Sequence, residues 1–154
     1  MVEIKLRWHV EVKKRRWQNM DGMREAIYFL HYILVYNHFA ISLLDFVPCL
    51  DPENKVIAFK PEQECNDLIR LRWAIRREKS WREADKGRIY TMHYIFIPGD
   101  ILTEYNLSDL LNYDPYLDPE RKIIVFKPKQ EPKQEQGGQS QQSLFSPQSL
   151  GEKV

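Results

Sequence analysis

A chain of 154 residues with 43% hydrophobic and 12% aromatic content has enough apolar material to bury a core, as one ordinary domain or as two very small ones. Its 23 basic and 22 acidic residues nearly cancel, which excludes bulk attraction to nucleic acid or an anionic membrane and leaves any such role to the distribution of charge. There is no apolar run near the ~20 residues of a membrane-spanning helix and no secretory signal, and Cys49 and Cys65 form no CxxC pair, so a soluble chain in a reducing, cytoplasmic setting is expected, with no disulfide framework, metal site or cofactor.

Ile4, Leu6, Trp8, Val10 and Val12 alternate with Lys5, Arg7, His9, Glu11 and Lys13, the period of two that marks a strand with one buried and one outer face. Trp8 is thereby expected in the core. Lys14, Arg15, Arg16 and Trp17 follow, then the turn signal Asp21-Gly22 and a β-branched and aromatic run over residues 26–35 that predicts a second strand. Residues 43–50 and 55–61 flank Asp51-Pro52-Glu53-Asn54 as a hairpin, and Pro48 places its first arm at a sheet edge or a bulge.

The pattern then recurs. Residues 43–64 and 110–131 align without a gap at 14 identities in 22, while upstream Leu6-Arg7-Trp8 matches Leu71-Arg72-Trp73, Trp17 matches Trp81 and His31-Tyr32 matches His93-Tyr94. In the second copy Ile69, Leu71, Trp73 and Ile75 alternate with Arg70, Arg72, Ala74 and Arg76, and Lys86-Gly87 leads into a strand over residues 88–97. Residues 98–107 predict a short helix, opened by Pro98, with Asp100 in its first turn and an exit near Asn106, a residue that tolerates the left-handed conformation. A second hairpin turns at Asp118-Pro119-Glu120-Arg121, with Pro115 standing where Pro48 stands in the first.

The expected fold is a β-rich α+β arrangement: an internal duplication of a strand, strand, short helix and hairpin unit, at residues 1–66 and 67–131. Whether the units close into one pseudo-symmetric barrel or stand as two lobes stays open. Residues 132–154 form a Gln-rich tail too poor in apolar residues to order itself, with Leu144 and Phe145 as a candidate linear motif for a protein partner.

The second copy resembles the swapped-hairpin β-barrel family typified by AbrB, MazE and the tandem protein MraZ. The resemblance rests on Gly87-Arg88-Ile89, on Ile95-Phe96-Ile97-Pro98-Gly99-Asp100-Ile101-Leu102 through Leu107, and on a hairpin ending Lys122-Ile123-Ile124-Val125-Phe126-Lys127-Pro128. It spans about 40 residues and departs from the family at Ser108-Asp109, where Gly-Asp is usual, and in the first copy, where Leu34-Val35-Tyr36-Asn37 replaces Ile-Pro. It implies DNA binding through basic residues on the N-terminal strands and adjoining loops.

The charges are polarised along the chain: residues 1–24 hold seven basic and three acidic side chains, residues 69–88 eight and three, and residues 99–120 six acidic and no basic one. Lys5, Arg7, Lys13, Lys14, Arg15, Arg16, Arg70, Arg72, Arg76, Arg77, Lys79 and Arg82 are the candidate phosphate contacts, against the alternative that exposed strand faces carry such residues for solubility and edge protection. Trp17 and Trp81 are expected to pack against the sheet rim, with stacking on a ligand as the alternative, and His31 and His93 to be hydrogen-bonded structural imidazoles. Without GxSxG, a Gly-rich phosphate loop or HExxH, no enzyme is expected. The resulting expectation is a small intracellular nucleic-acid-binding protein, DNA before RNA, plausible as a transcriptional regulator and with a homodimer left open. The alternative is a protein interaction module, or a virus-encoded accessory factor, whose tail recruits a partner.

Overall fold

The computed structural model describes residues 2–80 and 82–129. Strands dominate: β1 (Ile4–Lys5), β2 (Arg7–Asn19), β3 (Gly22–Val35), β4 (Val47–Asp51), β5 (Val56–Lys60), β6 (Ile69–Arg70), β7 (Arg72–Lys79), β8 (Ile89–Ile97), β9 (Tyr113–Asp118) and β10 (Ile123–Pro128). Helix α1 (Asn37–Leu43) joins β3 to β4, and α2 (Gly99–Glu104) with a 3-10 turn at Ser108–Asn112 joins β8 to β9. The exit from α2 is as expected, with Asn106 at a left-handed φ of 57°. Its counterpart α1 has no proline or acid to open it and is held by the burial of Ala40 and Leu43.

The strands form two antiparallel sheets, one of six in the order β1-β9-β10-β5-β4-β6 and one of four in the order β2-β3-β8-β7. Each half of the sequence contributes strands to both sheets. β1 pairs with β9, β4 with β6, and β3 with β8, so neither half completes its ladders without the other.

β1 and β2 are one extended run that changes sheets at the buried Leu6, and β6 and β7 do the same at Leu71. The Leu6 amide donates to the Pro115 carbonyl and the Leu71 amide to the Pro48 carbonyl, each at 2.8 Å. These bonds explain why the edge expected for the two prolines is wrong: β4 lies between β5 and β6, and β9 between β10 and β1. The amide and carbonyl positions of a strand residue face the same neighbour. The donor each proline lacks therefore points at the place where a two-residue strand has already ended, and little pairing is lost.

Between the sheets lie Leu6, Ile33, Leu50, Ile57, Ile95, Leu117 and Ile124, all fully buried, each contributing about 1.5–3 kcal/mol of transfer free energy. Trp8 and Trp73 pack against this core as expected. Trp8 stacks on Phe126 with ring centroids 6.0 Å apart and donates from Nε1 to the Tyr113 carbonyl at 2.8 Å. Trp73 stacks on Phe59 at 5.7 Å and donates to the Phe46 carbonyl at 3.1 Å. The hairpin turns also match expectation: Asp51 Oδ1 accepts from the amides of Glu53 and Asn54, and Asp118 Oδ1 from those of Glu120 and Arg121.

Two expectations are corrected here. Cys49 and Cys65 form a disulfide, with Cα atoms 5.9 Å apart, because the pairing of β4 with β6 draws the segment before β6 alongside Cys49. Val10 and Val12 fall on the inner face as their alternation requires, yet are 47% and 61% exposed. β2 and β3 pair over their whole length, whereas β3 meets β8 only from His31 to Val35, so the far part of the hairpin projects as a two-stranded arm. Its inner face leaves the core behind.

Candidate nucleic-acid interface

Residues opposed across a ladder share a face, so the register sorts the four-stranded sheet into an inner face on the core and an outer face turned away from it. β2 places Arg7, His9, Glu11, Lys13, Arg15 and Trp17 on the outer face. Opposite them on β3 stand Leu34, Tyr32, Leu30, Tyr28, Ala26 and Arg24. From the other half come Tyr94 and Phe96 on β8 and Arg72, Ala74, Arg76 and Glu78 on β7.

A polar and aromatic cluster occupies the centre of this face. Tyr32 and Tyr94 meet edge to face at 5.7 Å, and both are buried. His9 stacks over Tyr94 at 4.8 Å, and the Arg76 guanidinium lies 5.0 Å above the Tyr32 ring and donates to its hydroxyl at 2.8 Å. Arg76 also pairs with Glu11, whose Oε2 is 3.3 Å from His9 Nε2. Burial pushes the Glu11 carboxyl up, but hydrogen bonds from Arg76 and His9, with their charges, outweigh it and hold the group below its usual value. Burial and then Glu78, which accepts from the Tyr94 hydroxyl, raise the Tyr94 phenol. The two carboxylates of this face, Glu11 and Glu78, are thus both engaged at its centre.

Around the centre, Arg7, Lys13, Arg15 and Arg72 have no carboxylate within ion-pair distance among the described residues. These four, with Arg76, are the expected phosphate contacts that the fold gathers on one surface. The other seven are dispersed. Lys5 and Arg70 belong to the edge strands of the six-stranded sheet and pair with Asp114 at 3.4 Å and Glu62 at 3.0 Å. Lys14 and Arg16 point to the opposite side of the arm and share Glu25, at 3.2 and 3.4 Å. Arg77 and Lys79 have the inner-face parity of β7, and Arg82 lies in the connection after it.

Trp17 does not pack against a sheet rim: it is 39% exposed on the outer face of the arm, 5.7 Å from the Arg15 guanidinium. Trp81, Leu144 and Phe145 lie outside the described residues. His93 is a hydrogen-bonded imidazole as expected, with Nδ1 3.0 Å from Asn37 Oδ1, but His31 has a buried Nδ1 with no hydrogen-bond partner among the described residues. Reading the sequence missed Arg24, Ala26 and Tyr28 as members of this face. Their alternation is visible, but assigning a face to it needs the register with β2. No helix among the described residues is long and apolar enough to cross a membrane.

Compared with family models, with curated proteins and with solved structures, the chain matches none.

Proposed function

We propose that the chain is a small nucleic-acid-binding protein that lays the outer face of its four-stranded sheet against phosphates, with DNA regulation as the first role to test. The observation that carries this reading is the separation of charge on that face: Arg7, Lys13, Arg15 and Arg72 stand unneutralised, while Glu11 and Glu78 are turned onto Arg76 and Tyr94. Cations kept for solubility alone need not be cleared of carboxylates in this way. The strand orders, which read the same from either end when strands are matched by the sequence repeat, favour a duplicated unit closed into one pseudo-symmetric body. The exchange of β1 and β6 between the two hairpins is what a swapped-hairpin ancestry would leave. A cytoplasmic location remains part of this reading, although the Cys49–Cys65 bridge weighs toward a more oxidising setting.

Four phosphate contacts release enough counterions that raising salt from about 50 to about 200 mM weakens binding roughly fifty- to a hundred-and-fifty-fold. Fluorescence anisotropy of labelled duplex and single-stranded oligonucleotides with the full chain measures this. An Arg7→Glu, Lys13→Glu, Arg72→Glu variant is expected to lose the binding and keep its circular dichroism spectrum. No binding at low salt removes the reading.

One observation favours a second reading, a protein interaction module. The edge of β3 away from β2 has no partner strand over residues 22–30 among the described residues, and Val10, Val12, Ile27 and Phe29 are exposed on the inner side of the same arm. Sedimentation of the isolated chain at increasing concentration tests whether a second copy covers them.

A further inference from the structure

Trp17 differs from the two tryptophans of the core. Trp8 and Trp73 each donate their indole N–H to a backbone carbonyl, the usual arrangement for a structural tryptophan. Trp17 donates to no group among the described residues, nor does the hydroxyl of Tyr28, and the two rings are 39% and 41% exposed. They are not isolated surface residues. The register Lys13↔Tyr28, Arg15↔Ala26 and Trp17↔Arg24 puts all six side chains on one face of the arm, with Tyr28 and Trp17 two rungs apart. On the rung between them, Arg15 faces the smallest side chain of the group. A cleft of about 250 Å³ opens there, lined by Arg15, Trp17 and Tyr28.

We propose that this cleft is a stacking site for an unpaired nucleobase, and that the ligand of the outer face is therefore a single-stranded nucleic acid. The inference rests on the nucleic-acid reading above and adds the substrate class. A flat ring entering the cleft meets the rings of Trp17 and Tyr28 and the planar guanidinium of Arg15, while Lys13 and Arg24 share that face of the arm and are placed to meet the adjoining phosphates. Arg24 has one competitor, Asp21, at 3.7 Å with both groups solvent-exposed. A base within a duplex has both faces covered by its neighbours and cannot enter. An unstacked base can. The central tyrosines take no part in this, since Tyr32 and Tyr94 are only 5% and 3% exposed.

Stacking of one base on aromatic side chains strengthens binding roughly five- to a hundredfold. The test uses the full chain and labelled oligonucleotides of one length: oligo-dT, oligo-rU, an abasic strand with the same phosphates, and a dA·dT duplex. Base-bearing single strands are expected to bind at least fivefold more tightly than the abasic strand and the duplex. Whichever of dT and rU is tighter assigns the sugar.

Ala26→Leu adds bulk opposite Arg15, on the rung between Trp17 and Tyr28, and leaves every charge in place. It is expected to lower affinity for the base-bearing strand to that of the abasic one, with the salt dependence unchanged. Trp17→Ala is expected to do the same, and circular dichroism confirms that either variant keeps its fold. Equal affinity of the wild-type chain for base-bearing and abasic strands, or for the strand and the duplex, overturns the stacking site while leaving the phosphate surface standing. So does an Ala26→Leu variant that still tells the two strands apart. Failure to bind any of the oligonucleotides at low salt overturns the nucleic-acid reading itself.

Discussion

Glu11 and His31 sit on neighbouring strands and titrate in opposite surroundings. Glu11 Oε2 accepts from Arg76 and His9, and its folded-state value lies below the ordinary 4.5 although Oε1 is buried with no partner among the described residues. Such a carboxylate stabilises the fold above its unfolded value, and the contribution is lost as pH falls through the lower, folded value. His31 faces Val10 and Ile97 across the ladders with Trp8 edge-on at 6.5 Å, and burial holds its imidazole below the ordinary 6.5. A depressed imidazole is more easily protonated in the unfolded chain, so its contribution is complete above 6.5 and falls away below that. The melting temperature is therefore expected to drop in two stages on acidification. The first begins below about 6.5 and is removed by His31→Phe; the second lies below about 4.5 and is reduced but not abolished by Glu11→Gln, because hydrogen bonds from Asn54 hold the Asp51 carboxyl below its usual value as well. Thermal denaturation from pH 8 to pH 3 follows both.

At the scale of elements, one strand serves two purposes. The first part of β2 packs Trp8 against the six-stranded sheet, and the rest runs into the arm, where an unbroken alternation continues without a core beneath it. The consequence is a contrast within β3. Ile33→Ala is expected to cost about 2–5 kcal/mol, because a buried side chain leaves a cavity between the sheets, whereas Phe29→Ala, four residues earlier on the same face, is expected to stay within about 0.5 kcal/mol. Urea denaturation of the two variants decides it. Strand identity was legible here because the period of two is local and strong. Burial was not, because period reports which side of a strand a residue faces and says nothing about whether anything is packed there. The same limit explains Pro48 and Pro115: both are correctly read as strand residues lacking a donor, but their interior position is decided by where β6 and β1 end.

For the whole molecule, the interleaving of the two halves predicts how it unfolds. β3 and β8 form the centre of one sheet and β5 and β10 the centre of the other, so the halves are joined by strand pairing in both sheets rather than by surface contact alone. A fragment of residues 1–66 keeps β1, β2, β3, β4 and β5 but exposes the edges of β1, β3, β4 and β5 that β9, β8, β6 and β10 cover. It is expected to be unfolded or aggregated alone, while the intact chain melts in one transition seen equally by circular dichroism and tryptophan fluorescence. Two separate transitions, or a folded fragment, contradict this account.

The amino-acid sequence by itself determined the strands, the two Asp-Pro-Glu hairpins, the helix that ends at Asn106 and the basic alternation of the first strands, because each depends on a side chain's relation to its near neighbours in the chain. Only the tertiary structure decided which cations remain available. Lys5 is neutralised by Asp114 and Arg76 by Glu11, pairs separated by more than a hundred and by 65 positions. It likewise joined Cys49 to Cys65 and set Arg15, Trp17 and Tyr28 around one cleft. The physical reason is common to all of them: period and turn chemistry act along the chain, whereas ion pairing, disulfide pairing and shape depend on the ladder partner and register that only folding assigns.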